Sequence, residues 1–300
     1  MKIFIYCRPR DYTTRAILDR FLEIFGNCGL EWSINKTYAD HIFNMTGLHV
    51  PSYETTPAAT PDGDAMMISI GGDGTFLEAV RSLRGNPMPI VGLNAGRLGF
   101  LASISPKIFT HALEEIRARR YTIESRTMLT VEGDFPVEPD FPCALNEFTI
   151  HRHTADMIEV SVSVDGKHLV KVRGDGAIAS TPTGSTAYSL SAGGPMVAPA
   201  SACFVCTAIA PHNFSIRPLV LPDSAKVGFQ VHSRGGRVQV SLDNVSYIVD
   251  DGASFTISKS KYHTFLAHVQ NISFYDTLRD KVMWGLDTRD NAQEKFWTDN

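Results

Sequence analysis

The sequence predicts an α/β protein in two parts. A doubly wound α/β domain covers residues 1–120, a strand-rich, all-β domain covers 121–275, and a C-terminal helix and tail over 276–300 return to the first domain. Three observations predict it. Up to about residue 120, short apolar runs alternate with helix-like segments, the pattern of parallel strands joined by crossover helices. Beyond Tyr121 the hydrophobic period drops to two, as in antiparallel strands. From Asp276 to Trp284 helical spacing resumes.

In chain order, residues 2–7 read as a strand, and 13–25 carry Ile17, Leu18, Phe21, Leu22 and Phe25 as a helical stripe. Residues 51–64 are rich in Pro, Thr and Gly and mark a loop. Residues 65–70 form a buried strand ending in glycines, and 75–83 a helix; 89–93 repeat the strand, and 106–118 the helix. In the second part Ile158, Val160, Val162 and Val164 alternate, Asp165-Gly166 is a tight hairpin turn, and His168, Val170 and Val172 resume on the return strand. Alternation recurs over 227–231, 238–242 and 255–257. Phe21, Phe25 and Trp284 are expected in the core rather than as stacking platforms.

With 43% apolar and 20% charged residues the chain can bury a sizeable core. A formal charge of -4 excludes a nucleic-acid binder, which needs clustered cations to neutralise phosphates. The one basic cluster, Arg117 to Arg120 with Arg126, reads as a solvated helix end. No apolar stretch reaches membrane-span or signal-peptide length, so no membrane partner and a cytoplasmic location are expected. The cysteines at 7, 28, 143, 203 and 206 are odd in number and scattered, and reduced thiols are expected. Cys203 and Cys206 on a strand would point to opposite faces, and His151 with His153 lacks a third ligand, so neither pair is read as a metal site.

Gly71-Gly72-Asp73-Gly74-Thr75 lies between a buried strand and a helix, at the carboxyl end of the sheet, where open α/β folds bind ligands. Gly71, Gly72, Gly74 and Thr75 suit a phosphate loop, because glycines let backbone N–H groups approach phosphate and the helix dipole adds to them. No Lys-Ser/Thr follows, so it is not a Walker A loop. An aspartate amid these glycines would repel phosphate unless it serves a hydroxyl or a cation. Thr75 with Glu78 fits a capping box, which leaves Asp73 to that other task. A positioned carboxylate that accepts a sugar hydroxyl's proton contributes about 10²–10⁴-fold.

A second density of hydroxyls and glycines runs from Arg173-Gly174-Asp175-Gly176 through Ser180–Ser189 to Ser191-Ala192-Gly193-Gly194. Apolar flanks fold it against the core, and hydroxyls on a close-packed backbone suit a nucleotide. Asn146-Glu147 offers an amide for a base edge and a carboxylate for ribose hydroxyls.

The segments IGGDGTFLEAVR, VGLNAGRLGFLA, ALNEFTIHR, RGDGAIASTPTGSTAYSLSAGGPMVAP, APHNFSIRPLVLP and FYDTLRDKVMWG closely resemble the NAD kinase family in order and spacing, over roughly residues 65–285. GGDGT also resembles an element of 6-phosphofructokinases and of diacylglycerol and sphingosine kinases; the TPTGSTAYSLSAGGP run is far more specific. The resemblance implies phosphorylation of the 2′-hydroxyl of the adenosine ribose of NAD by ATP, with Asp73 as proton acceptor and Gly74 beside it. It implies Phe100 near the adenine, Asn146 on the adenine side and Glu147 on ribose hydroxyls, with Arg173 and Asp175 lining the site. Thr183 and the run Thr186, Ala187, Tyr188, Ser189, Leu190 and Ser191 would wrap the dinucleotide. Mg²⁺ or another divalent cation is implied with ATP, held by no protein side chain that the motifs single out, and the family form is a homotetramer or homodimer. Two positions depart from the family pattern. Asp243-Asn244-Val245 stands where many members have Asp-Gly-Gln, and Glu78 where bacterial relatives are often basic. A GGDGT-type small-molecule or lipid kinase, or a non-catalytic NAD-binding sensor, is the alternative.

Overall fold

The computed structural model describes residues 1–9, 14–55, 64–94, 99–102, 104–269 and 273–282. Most of the expected 51–64 loop, and the tail from 283 with Trp284, lie outside the described residues.

The chain opens with β1 (Lys2–Cys7), α1 (Arg15–Asn27), β2 (Glu31–Asn35), α2 (Lys36–Thr46), β3 (Ser52–Tyr53), β4 (Ala65–Gly71), α3 (Asp73–Leu83), β5 (Ile90–Asn94) and α4 (Phe109–Arg117). β2 and α2 went unread in the sequence. The five strands are parallel and lie in the order β5-β4-β1-β2-β3. Strand order therefore reverses between β1 and β4, and their carboxyl ends flank the crevice where such sheets bind ligands.

Side-chain alternation divides the core. Ile3, Ile5, Met66, Ile68, Ile70, Val91 and Leu93 face α1, α2 and α4 through Leu18, Phe25, Ile42 and Leu113. Phe4, Met67 and Ile90 face the other way, onto Phe76, Leu77, Val80 and Leu83 of α3. Met128, Phe141, Cys143 and Leu145 close over that same cluster, so α3 is clamped between the parallel strands and the second half of the chain.

The second half comprises β6 (Thr122–Gly133), β7 (Cys143–Ala144), β8 (Glu147–Arg152), β9 (Ile158–Val164), β10 (Lys167–Gly174), β11 (Gly176–Ser180), α5 (Tyr188–Ser191), β12 (Cys203–Ile209), β13 (Leu219–Pro222), β14 (Val227–Ser233), β15 (Arg237–Leu242), β16 (Val245–Asp250), β17 (Ser254–His268) and α6 (Phe274–Val282). The Asp165-Gly166 hairpin turn has φ of 50° and 75°, as a twisted two-residue loop requires. β13-β12-β11-β8-β15-β16 form one antiparallel sheet, and β10-β9-β14-β17 run into the parallel strands as one larger sheet. Phe148, Ile150, Phe204 and Val240 interleave with Val160, Val162, Phe229 and Phe255 between the two layers.

β17 is the splice: its first residues pair with β14, its Leu266 pairs parallel with Ile90 of β5, and β6 runs antiparallel along it. α6 returns to the first half, its Phe274 ring 6.2 Å from that of Phe100.

Candidate active site

All seven residues of β4 are buried, and its carboxyl end delivers Gly72 as the N-cap of α3. The helix starts at Asp73, two residues earlier than the sequence predicts. Thr75 is therefore in the first turn and fully buried, and the N-cap has no side-chain hydrogen bond. The capping box is thus corrected. Glu78 accepts instead from Arg8 Nη1 at 3.0 Å, Asn244 Nδ2 at 3.1 Å and the Tyr6 hydroxyl at 3.3 Å. Three polar donors outcompete a backbone N–H for a half-buried carboxylate.

The Asp73 carboxylate accepts three backbone N–H groups of one loop, Phe100 on Oδ2 at 3.0 Å, and Leu101 and Ala102 on Oδ1 at 3.2 and 3.1 Å. The loop approaches this closely because residue 99 is glycine: a Cβ there would lie 1.9 Å from Asp73 Oδ1. Asp73 and Phe100, 27 residues apart, are thereby held side by side.

The Asn146-Glu147 segment is held by Asp243, which the sequence marked only as part of a departure. Its buried carboxylate accepts the N–H groups of Leu145, Asn146 and Glu147 at 2.9, 2.8 and 3.1 Å. Burial pushes Asp243 up to about 6 despite these three donors. The next residue, Asn244, reaches Glu78 on α3, so one turn grips both the helix that begins at Asp73 and the segment that carries Glu147.

Asn146 and Glu147 are 7% and 8% exposed, and Asn146 Oδ1 and Glu147 Oε2 have no hydrogen-bond partner among the described residues. Buried polar atoms are rarely left so, and two adjacent ones at one end of a strand mark a place where a ligand or a water completes them. Burial raises Glu147 to about 8, with Asp243 adding to the rise and the Tyr188 N–H opposing it. Since the folded value lies above the ordinary 4.5, the stability this residue confers is fully present below about pH 4.5 and is lost as pH rises through about 8. Glu147→Gln is expected to flatten the fall of Tm between about pH 5 and pH 8 in the ligand-free protein. Parallel melting curves of parent and variant over that range would contradict it.

The hydroxyl-rich run is folded against this segment. Thr181 Oγ1 donates to Leu145 O at 2.6 Å, and a Cβ on Gly184 would sit 2.2 Å from Asn146 O. Several of its hydroxyls serve the run itself: Ser185 Oγ donates to Pro182 O at 2.7 Å, Thr186 Oγ1 to Thr183 O at 3.2 Å, and Ser189 Oγ pairs with Thr207 Oγ1 at 2.9 Å. Tyr188 is 37% exposed. Burial, followed by the charges of Asp175 and Glu147, raises its phenol above the usual value. Asp175 is paired with Arg152 at 2.9 Å, whereas Arg173 turns outward to Glu159 at 2.8 Å. Ala187 links a 3₁₀ turn, Gly184–Thr186, to α5, which carries Leu190 and Ser191.

Arg126 is not solvated. Strand alternation in β6 turns it inward at 6% exposure, where Nη2 donates to Glu124 at 2.8 Å and Nη1 to Thr183 Oγ1 at 3.4 Å. The His268 ring, first, and Arg126 hold Glu124 down to about 2. A cavity of about 280 Å³ between β10 and β12, lined by Leu169, Val172, Cys206 and Ile216, contains none of the expected site residues. All five cysteines are free. Among the described residues no helix is long and apolar enough to cross a membrane.

Known proteins share this arrangement. The ATP-NAD kinase N-terminal domain model matches residues 29–121, and the ATP-NAD kinase C-terminal domain model matches 145–269. The NAD kinase of Flavobacterium psychrophilum is 41% identical over 293 residues, covering 96% of this chain and 100% of the relative. That of Bacteroides fragilis is 42% identical over 225 residues, 75% of this chain and 78% of the relative. A solved NAD kinase from Archaeoglobus fulgidus in complex with ATP superposes with a TM-score of 0.72 at 28% identity, covering 94% of this chain and 99% of that one. Yeast NADH kinase complexed with NADH has the same fold, with a TM-score of 0.78 at 22% identity over 96% of this chain and 89% of that one. Matched in both halves by one family's models, and along nearly its whole length by that family's curated members, the chain belongs to the ATP-NAD kinase family.

Proposed function

We propose that this protein is an NAD kinase that transfers the terminal phosphoryl group of ATP to the 2′-hydroxyl of the adenosine ribose of NAD, with Asp73 receiving the hydroxyl proton. The observation that carries the reading is the pair of buried, unpartnered oxygens on Asn146 and Glu147, held by a turn that also grips the helix of Asp73. A ribose hydroxyl both donates and accepts, which suits the Glu147 carboxyl with or without its proton, and an adenine amino group suits the Asn146 oxygen.

In this reading Glu147 orients the ribose, Asn146 fixes the adenine edge, and Tyr188, with Asp175 beside it, closes on the dinucleotide. The 2′-oxygen attacks the terminal phosphorus, its proton passes to Asp73, and ADP leaves. The three loop amides hold the carboxylate in one orientation, so the proton acceptor needs no reorganisation as attack proceeds. A Cβ at Gly72 would meet nothing within 4 Å, consistent with phosphate resting on the open backbone there.

Among the described residues no three carboxylate, histidine or cysteine side chains converge. Mg²⁺ accompanying ATP would supply neutralisation of charge on the transferring group. We take the working form to be a cytoplasmic homo-oligomer, a homotetramer or homodimer, on the family resemblance.

Purified protein incubated with NAD, ATP and Mg²⁺ is expected to yield NADP, read through an NADP-specific dehydrogenase, with NADH tested in parallel. No phosphorylated product from either coenzyme would sink the reading.

A further inference from the structure

The strand-order reversal sets two chain ends side by side: the end of β1, after which comes Arg8, and the end of β4, after which comes the glycine turn. Cys7 is in register with Ile70, so Arg8 leaves the sheet level with Gly71. Its guanidinium folds across the turn, with Nη1 and Nη2 at 3.7 and 3.9 Å from where a Cβ on Gly74 would lie. The side chain is 17% exposed.

Glu78 fixes it there, accepting Nη1 at 3.0 Å. That carboxylate is itself held from two further elements, by Tyr6 of β1 and by Asn244 of the β15–β16 turn. A surface ion pair of this length contributes little by itself. This one is half-buried, oriented by three elements, and stands over the glycine backbone of the catalytic turn.

We propose that Arg8 is a donor-phosphate contact, meeting the phosphoryl oxygens of ATP over the Gly72–Gly74 turn, and that Glu78 is the residue that positions it. The inference rests on the reading of the site as an ATP-dependent kinase. The turn has no P-loop lysine, yet charge on the transferring phosphate has to be met. A planar guanidinium holds a carboxylate on one edge and suits phosphate oxygens in a directed, in-plane geometry that an ammonium does not impose. Any group drawn to the Gly74 backbone also lies against Arg8. Without Arg8, the Glu78 charge in the first turns of α3 would repel the same phosphates.

The test is Arg8→Met, which keeps apolar bulk and removes the charge. Calorimetric binding of Mg-ATP, which needs no turnover, is measured alongside KM for both substrates and Tm. A charged hydrogen bond contributes about 1.5–3 kcal/mol, so ATP affinity is expected to fall about ten- to hundredfold while KM for NAD moves less than about twofold. Arg8→Lys is expected to recover part of the loss. ATP affinity unchanged in Arg8→Met, or equal losses for both substrates, would overturn the proposal. So would recovery of parental ATP affinity in Arg8→Met/Glu78→Gln, since the exposed carboxylate would then be the cause. A parent that binds ATP through Arg8 but makes no NADP would defeat the kinase reading instead, so the two failures are distinguishable.

Discussion

Replacing Asp73 by asparagine is expected to lower kcat by about 10²–10⁴-fold while NAD still binds with near-parental affinity. The substitution keeps the shape of the side chain and removes its capacity to take a proton. The structure adds a second consequence. The amide oxygen can still accept from Leu101 and Ala102, but its NH₂ group meets the Phe100 N–H, setting donor against donor. An unsatisfied donor costs on the order of 1–3 kcal/mol, so a modest fall in Tm accompanies the loss of turnover. Single-turnover NADP formation with both substrates saturating, together with calorimetric NAD binding, separates the two effects. Near-parental turnover would make Asp73 a loop anchor and no more.

Gly184→Ala is expected to damage both the fold and NAD binding. The added methyl would stand 2.2, 2.5 and 2.7 Å from the O, C and Cα atoms of Asn146. All three are backbone, so no side chain can swing aside, and relief has to come from parting Gly184 and Asn146. Overpacking of this kind costs about 1–3 kcal/mol and occasionally more. It also moves the two orphaned acceptors, so NAD affinity should fall with the urea midpoint. Gly26→Ala is the control, because nothing lies within 4 Å of its added methyl and it sits in α1, where alanine is favoured by about 1 kcal/mol. A Gly184→Ala protein as stable as the control, with unchanged NAD binding, would refute the packing argument.

Of the parallel strands, β1, β4 and β5 were legible because they are buried, β4 on both faces as a continuous apolar run closed by glycines, whereas the short, part-exposed β2 and β3 were not read. Asp73 was singled out by the chemistry of its glycine motif, whereas Asn146 and Glu147 came from the family resemblance, since an Asn-Glu pair has no local signal of its own; the roles of all three are proposals. Arg126 was misread because it was grouped with the exposed arginines at 117, 119 and 120, which precede β6, whereas two-residue alternation within β6 turns it inward. Asp243 and Arg8 act across 96 to 98 and 70 positions of sequence, and a turn aspartate or a strand-end arginine carries no local mark of such a partner. Glu78 shows the same limit, because its local pattern fits a capping box and its tertiary donors override it.

The long strand β17, shared between the parallel and antiparallel regions, bears on how the enzyme can work. A ribbon hydrogen-bonded to β14 near its start and to β5 near its end makes a poor hinge, since opening the halves would tear main-chain pairing. In the proposed reading, gathering of substrates then falls to smaller parts mounted on a stiff frame: the short stretch tethered to Asp73, the side chain of Tyr188, and the helix whose Phe274 rests against Phe100.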